Sequence, residues 1–186
     1  MAVDANGVQF VDVEGTLPTY AATAYDYTPY ATATDMFVLQ NPANSGSLLN
    51  ITQINISGTA QSAATMDVYV FIRTSLNTGG TSSAVTPAKY DSRNGSPKGT
   101  ALTYSVAPTV PSGSMVVADR IVLPGNNPGV SATIINYDFG NRGGSTSLHL
   151  HPGEQLSISN NGNAVATGAT MYFTVEWNES TGYTPV

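Results

Sequence analysis

Cysteine is absent from this chain of 186 residues. The absence excludes disulfide bridges, thiolate metal ligands and a cysteine nucleophile. Long apolar runs are also missing, since none approaches the roughly 18 residues that a membrane-spanning helix needs. The opening stretch, MAVDANGVQF, lacks the basic and apolar regions of a signal peptide. We therefore expect synthesis in the cytoplasm, no export by the general pathway and no membrane partner.

Charge is scarce and unevenly placed. Charged residues make up 10% of the chain, whereas soluble proteins average about a quarter. The first basic residue is Arg73, so every charged side chain within residues 1–72 is acidic. A nucleic-acid partner is not expected, because binding one needs a basic patch that displaces counterions. A surface poor in charge is instead compatible with dense packing against protein neighbours, and the acidic N-terminal part favours a basic partner.

Catalytic motifs are missing as well. The chain has no Gly-x-Ser-x-Gly elbow and no Gly-x-x-x-x-Gly-Lys phosphate loop. Nothing distinguishes any pair among the twelve acidic residues as the two carboxylates of a glycoside hydrolase. We therefore predict a protein without enzymatic activity and without a cofactor.

The two histidines, His149 and His151, are the only candidate metal ligands with a suggestive spacing. A spacing of two on a strand places both imidazoles on one face, with the flanking leucines on the core side. Glu154 lies just beyond the next turn, and a three-fold axis could bring three copies of the pair together. Because the spacing supplies no third ligand, we favour two exposed histidines and no metal.

Short β patterns separated by turn residues fill most of the chain, and no stretch has a helical pattern. The predicted strands are residues 35–40, 48–56, 66–73, 100–106, 114–123, 132–139, 147–151, 155–160 and 169–177. The second of these changes its apolar phase at Gln53, which indicates a bulge. The pattern predicts an all-β fold, an antiparallel β-sandwich built as a jelly roll of about eight strands, with a barrel as the alternative.

Residues 1–33 are rich in Ala, Thr and Tyr, and Pro18 and Pro29 oppose a helix. Disordered segments contain few aromatic residues, so we predict an extended arm that docks either on its own domain or on a partner. The predicted division is therefore an arm at 1–33 and a sandwich domain at 34–186. The arm contributes four interface candidates, Tyr20, Tyr25, Tyr27 and Tyr30.

Residues 75–113 form a long polar excursion in which only 100–106 has a strand pattern. Loops longer than about 15 residues are uncommon unless they are functional or disordered. The excursion contributes the interface candidates Lys89, Tyr90, Arg93 and Lys98. Tyr104 within it and Tyr172 on the outward side of the last strand could stack a sugar, although an ordinary interface role for tyrosine is the preferred interpretation.

Five short stretches follow one another in the order TDMF (34–37), RTSLNTGGTSSAVTPAKYDSRN (73–94), YDFGNR (137–142), SLHLHPGEQLSISNNG (147–162) and VEWNES (175–180). This order resembles that of small β-sandwich proteins encoded among the head and tail genes of tailed bacteriophages, over roughly residues 34–180. The chain departs from the pattern at RTS (73–75), where a more basic strand end is expected, and in its longer N-terminal arm.

The resemblance implies a virion structural protein without catalytic residues. Similar small sandwiches lie on the head surface as cement or decoration proteins, commonly as trimers, and others belong to tails or fibres. The resemblance therefore predicts a homotrimeric decoration protein that binds the major capsid protein on the outer surface of the head. The alternative is a tail, baseplate or fibre component that binds a host-surface glycan.

Overall fold

The computed structural model describes residues 17–125, 133–140 and 148–181. These ranges contain strands and no helix, so none of their segments is a helix long and apolar enough to cross a membrane. The strands are β1 (Thr19–Tyr27), β2 (Asp35–Gln40), β3 (Ser47–Thr59), β4 (Ala64–Arg73), β5 (Thr81–Val85), β6 (Ala88–Lys89), β7 (Thr100–Val106), β8 (Gly113–Leu123), β9 (Ile135–Asp138), β10 (Leu148–Leu150), β11 (Gln155–Ser159) and β12 (Thr170–Thr181).

The twelve strands form two antiparallel sheets of six strands each. The first sheet has the order β10-β3-β12-β1-β6, and β9 also pairs with β3. The second sheet has the order β5-β7-β2-β11-β4-β8. The prediction of an all-β antiparallel sandwich is confirmed, and every predicted strand segment contains a strand. The predicted number of about eight strands was too low, because β1, β5 and β6 were missed.

One apolar core lies between the sheets, and the period-two pattern of the sequence predicts its contents. In β12 the alternating apolar residues are fully buried: Met171, Phe173, Val175 and Trp177. In β3 the phase change is a bulge, because Gln53 pairs with Glu176 whereas Ile51 pairs with Trp177. Ile51 and Ile54 on either side of the bulge are both fully buried.

The described part of the predicted arm belongs to the sandwich. β1 lies between β12 and β6 in the first sheet, and Tyr20, 2% exposed, packs with its ring centroid 5.8 Å from that of Trp177. Tyr20, Ala22 and Ala24 supply a buried side of small and aromatic residues, which is why a segment with few branched aliphatics docks on its own domain. The boundary predicted after residue 33 does not separate β1 from the sandwich, and residues 1–16 lie outside the described residues.

The polar excursion contributes to both sheets. β5 pairs with β7 at the edge of the second sheet, and the two residues of β6 pair with Tyr20 and Ala21 of the first sheet. Neither strand has a fully buried side chain. They carry no hydrophobic periodicity, and sequence patterns could not predict them.

Candidate interaction surface

The outer face of the first sheet carries small polar and aromatic side chains. Its strands are joined across this face by side-chain hydrogen bonds: Thr23 to Thr174 (3.1 Å), Asn50 to Asn178 (2.8 Å) and Asn136 to Asn55 (2.6 Å). Cross-strand pairs of this kind contribute to the stability of a sheet. The face therefore presents hydroxyl and amide groups that are hydrogen-bonded to one another across its strands.

A bulge in β1 interrupts this array beside Tyr172. Ala24 pairs with Phe173 and Tyr27 pairs with Met171, so that Tyr25 and Asp26 together lie opposite Tyr172. Asp26 adopts a left-handed backbone conformation with φ 54°. The Tyr172 hydroxyl donates a hydrogen bond of 2.8 Å to Asp26 Oδ1, and this bond and partial burial raise the pKa of Tyr172. The rings of Tyr25 and Tyr172 meet edge to face with centroids 4.9 Å apart.

An open groove of about 520 Å³ lies beside the bulge, where β1 continues past the short strand β6. Its walls are residues 23–28 on one side and residues 83–86 of β5 and the following turn on the other, with Thr103 and Ser105 of β7 also lining it. Asp26 is the only charged residue among those lining residues. The groove is therefore a polar site with a single negative charge.

The basic loop, residues 89–98, lies on the protein surface. The Arg93 guanidinium contacts the Asp91 carboxylate at 2.9 Å, and the Lys89 ammonium donates to the carbonyl oxygen of Asn94 at 2.8 Å. Partial burial and a hydrogen bond to the Glu176 carboxylate raise the pKa of Tyr90 to about 12. Lys89, Tyr90, Arg93 and Lys98 are all exposed, so these four predicted interface residues remain accessible to a partner.

The buried carboxylate of Glu179 fixes the C-terminal end of this loop. It accepts hydrogen bonds from the backbone N–H groups of Lys98 (2.8 Å) and Gly99 (3.0 Å) and from Trp177 Nε1 (3.1 Å). Glu179 was not predicted from the sequence. The available signal was its place two residues after Trp177, in the inward phase of β12.

Four of the other tyrosines singled out from the sequence are buried or half-buried and form contacts within the domain. Tyr20 is buried in the core, and Tyr27 is half-buried and donates its hydroxyl to the Tyr104 carbonyl at 2.7 Å. The Tyr30 hydroxyl hydrogen-bonds to Thr34 at 2.8 Å. Tyr104 is 3% exposed, so the prediction that its ring could stack a sugar was wrong. Tyr25, 75% exposed, remains available to a ligand.

A second polar cluster lies on the outer face of the second sheet and is buried. The Arg73 guanidinium contacts Asp35 Oδ1 at 2.6 Å, with side-chain exposures of 8% and 0%. Asn77 Nδ2 donates to Asp35 Oδ2 at 3.1 Å, and the Asn77 backbone N–H donates to Gln155 at 2.9 Å. The start of the polar excursion therefore covers this face and is held there by polar contacts.

The two histidines were predicted to be exposed, and the structure agrees for His151 but not for His149. Leu150 is fully buried as expected, whereas His149 is half-buried and His151 is exposed just after β10. Glu154 accepts a hydrogen bond from the His151 backbone N–H at 2.8 Å, which closes the intervening turn. No group of three or more His, Cys, Asp or Glu side chains within residues 17–125, 133–140 and 148–181 is arranged to hold a metal ion.

The surroundings of His149 predict that the stability of the protein depends on pH. Burial and the nearby His151 lower the pKa of His149 in the folded protein, whereas the unfolded chain has the ordinary value of about 6.5. The unfolded state then binds more protons, so stability falls as the pH drops below that value. We expect His149→Gln to lose less stability than the native chain between about pH 7.5 and pH 5, measured by chemical unfolding. Identical losses in the two proteins would contradict this.

Comparisons with protein-family models, curated proteins and solved structures find no match to this chain.

Proposed function

We propose that the protein is a non-enzymatic structural protein of a tailed-phage virion, a decoration protein that binds the outer surface of the head. The order of the five sequence stretches supports this proposal. The observation that carries it is the outer face of the first sheet, a hydrogen-bonded array of Thr, Asn and Tyr side chains. Such a face can be buried against neighbours at little electrostatic cost, because its charges are few and the Asp26 and Glu176 carboxylates already accept hydrogen bonds from Tyr172 and Tyr90.

The proposed assembly is a homotrimer of jelly-roll domains bound to the major capsid protein. Trimers match the three-fold positions of an icosahedral shell, and attachment through three copies makes weak single contacts sufficient. The proposed contact between copies joins the acidic residues of 1–16 in one copy to the basic loop of another. The acidic residues are Asp4, Asp12 and Glu14.

The position of β1 determines how many N-terminal residues can be deleted without disrupting the sandwich. Removing residues 1–30 would also remove β1 and its buried Tyr20, so loss of binding would only report unfolding. Removing residues 1–16 spares β1. We expect this shorter deletion to keep the native unfolding temperature and to abolish trimerisation or binding to head shells that lack the protein. Co-sedimentation with head shells measures binding, and analytical ultracentrifugation measures the mass of the oligomer. Unchanged occupancy of the shells together with an unchanged oligomer mass would contradict the proposed contact.

Charge reversal tests the basic loop separately. The double variant Lys89→Glu, Arg93→Glu should weaken assembly, because it places negative charges opposite an acidic segment. Arg120→Glu is the matched control for Arg93→Glu alone, since Arg120 is also an exposed arginine paired with an aspartate, but on β8. Equal effects of the two reversals would indicate a general charge effect.

A tail, baseplate or fibre position is the alternative function. A reconstruction of the intact particle distinguishes the two, because density for the sandwich would lie on the head shell in one case and on the tail in the other. Density on the tail alone would overturn the decoration proposal.

A further inference from the structure

The bulge in β1 places two consecutive side chains on the surface. Regular alternation along a strand would turn one of Tyr25 and Asp26 toward the core, yet both are exposed. Asp26 reaches this position through its left-handed conformation at φ 54°, which few residues other than Gly, Asn and Asp adopt. Bulges and strained residues of this kind often direct side chains to functional sites.

The two side chains are held in a defined arrangement. The Tyr172 ring supports the exposed ring of Tyr25 from the side, and the Tyr172 hydroxyl holds the Asp26 carboxylate. The site thus combines an aromatic face with an oriented hydrogen-bond acceptor. It opens into the groove of about 520 Å³, where Ser83, Thr86 and Ser105 add hydroxyl groups.

The chemistry of this lining limits the ligand class. An exposed aromatic face packs against apolar C–H groups, while hydroxyls and a carboxylate bind ligand hydroxyl or amide groups. The single charge is negative, so the site disfavours phosphates, uronic acids and sialic acids. A neutral sugar has both an apolar ring face and several hydroxyl donors.

We propose that this groove binds a neutral saccharide, with one sugar ring stacked on Tyr25 and one sugar hydroxyl donated to the Asp26 carboxylate. Surface pockets that combine a few oriented polar groups with an aromatic wall are typical of small-ligand sites. Saccharide binding by this groove does not depend on where the protein lies in the virion. A negative result for shell binding would leave saccharide binding standing, and the reverse also holds.

The test uses two site variants and one control in the full chain. Tyr25→Ala removes the aromatic face. Asp26→Gly removes the carboxylate and also relieves the left-handed strain, so it should unfold at the native temperature or above. Tyr90→Ala is the control, because Tyr90 is another exposed tyrosine, 62% accessible, that does not line the groove.

Binding is measured by calorimetry and NMR titration with cellotetraose, maltotetraose and triacetylchitotriose as neutral probes and tetragalacturonate as the anionic probe. We expect at least one neutral probe to bind, and to lose about tenfold or more in affinity with Tyr25→Ala and with Asp26→Gly. Tyr90→Ala should bind as the native chain does. No neutral binding at about 5 mM, tighter binding of tetragalacturonate, or an equal loss in Tyr90→Ala would overturn the proposal.

Discussion

Asp35→Ala is expected to lower the free energy of unfolding by about 3–5 kcal/mol, because it leaves the Arg73 guanidinium buried without its charge partner. The ion pair is 2.6 Å long and its two side chains are almost inaccessible to water. The substitution also removes the acceptor of Asn77 Nδ2. The start of the polar excursion should therefore detach from the second sheet, and amide exchange around Asn77 should increase.

Asp67→Ala is the matched control for Asp35→Ala. Asp67 also pairs with an arginine, Arg120, at 2.7 Å, but the two side chains are 26% and 66% exposed. Exposed pairs contribute about 1 kcal/mol or less, so the control should remain near native stability. Urea unfolding of the two variants measures the difference. Similar losses from both would show that the Asp35 pair is no stronger than a surface ion pair.

Glu179→Ala is expected to cost about 3 kcal/mol or more, because it leaves several N–H donors without their acceptor in a buried site. The donors are the backbone groups of Lys98 and Gly99 and the indole of Trp177. Little space is available for rearrangement, since a Cβ added at Gly99 would lie 2.9 Å from Leu49 Cδ1. We expect the whole basic loop to lose protection from amide exchange.

Glu176→Ala is the control on the same strand. Glu176 lies three residues earlier, on the outer face of β12, where it contacts the exposed Tyr90. Its removal should change stability by less than about 1 kcal/mol. Chemical unfolding gives the stability change, and mass-spectrometric exchange locates it. Unchanged protection of residues 90–99 in Glu179→Ala would show that Glu179 does not hold the loop.

The sequence predicts those parts of the fold that rest on local periodicity. In β12, alternation from Met171 to Trp177 identifies the strand and its buried face, and in β3 the change of phase locates the bulge. The same pattern stops being informative where a strand buries little. β5 and β6 are held mainly by backbone hydrogen bonds to distant strands. Backbone pairing does not require any particular pattern of side chains, so the sequence contains no signal for these two strands.

The candidate sites were predicted less well, because their partners are remote in sequence. Asp35 and Arg73 are 38 positions apart, and Tyr172 and Asp26 are 146 apart. The tyrosines could be recognised individually as unusual in a terminal segment. Tyr20 is buried and Tyr25 is exposed because of the pairing of β1 with β12 and because of the bulge in β1. No local sequence pattern predicts that bulge.

The central position of β12 has a consequence for synthesis on the ribosome. β1 and β3 lie on either side of β12 and do not pair with each other. Thr23 and its partner Thr174 are 151 positions apart, so in a nascent chain the edges of β1 and β3 that pair with β12 stay unpaired until β12 emerges. Folds with such distant pairings form slowly, and their strand edges stay exposed until the pairing is complete. Chains that stop before residue 170 should therefore aggregate and not form part of the sandwich.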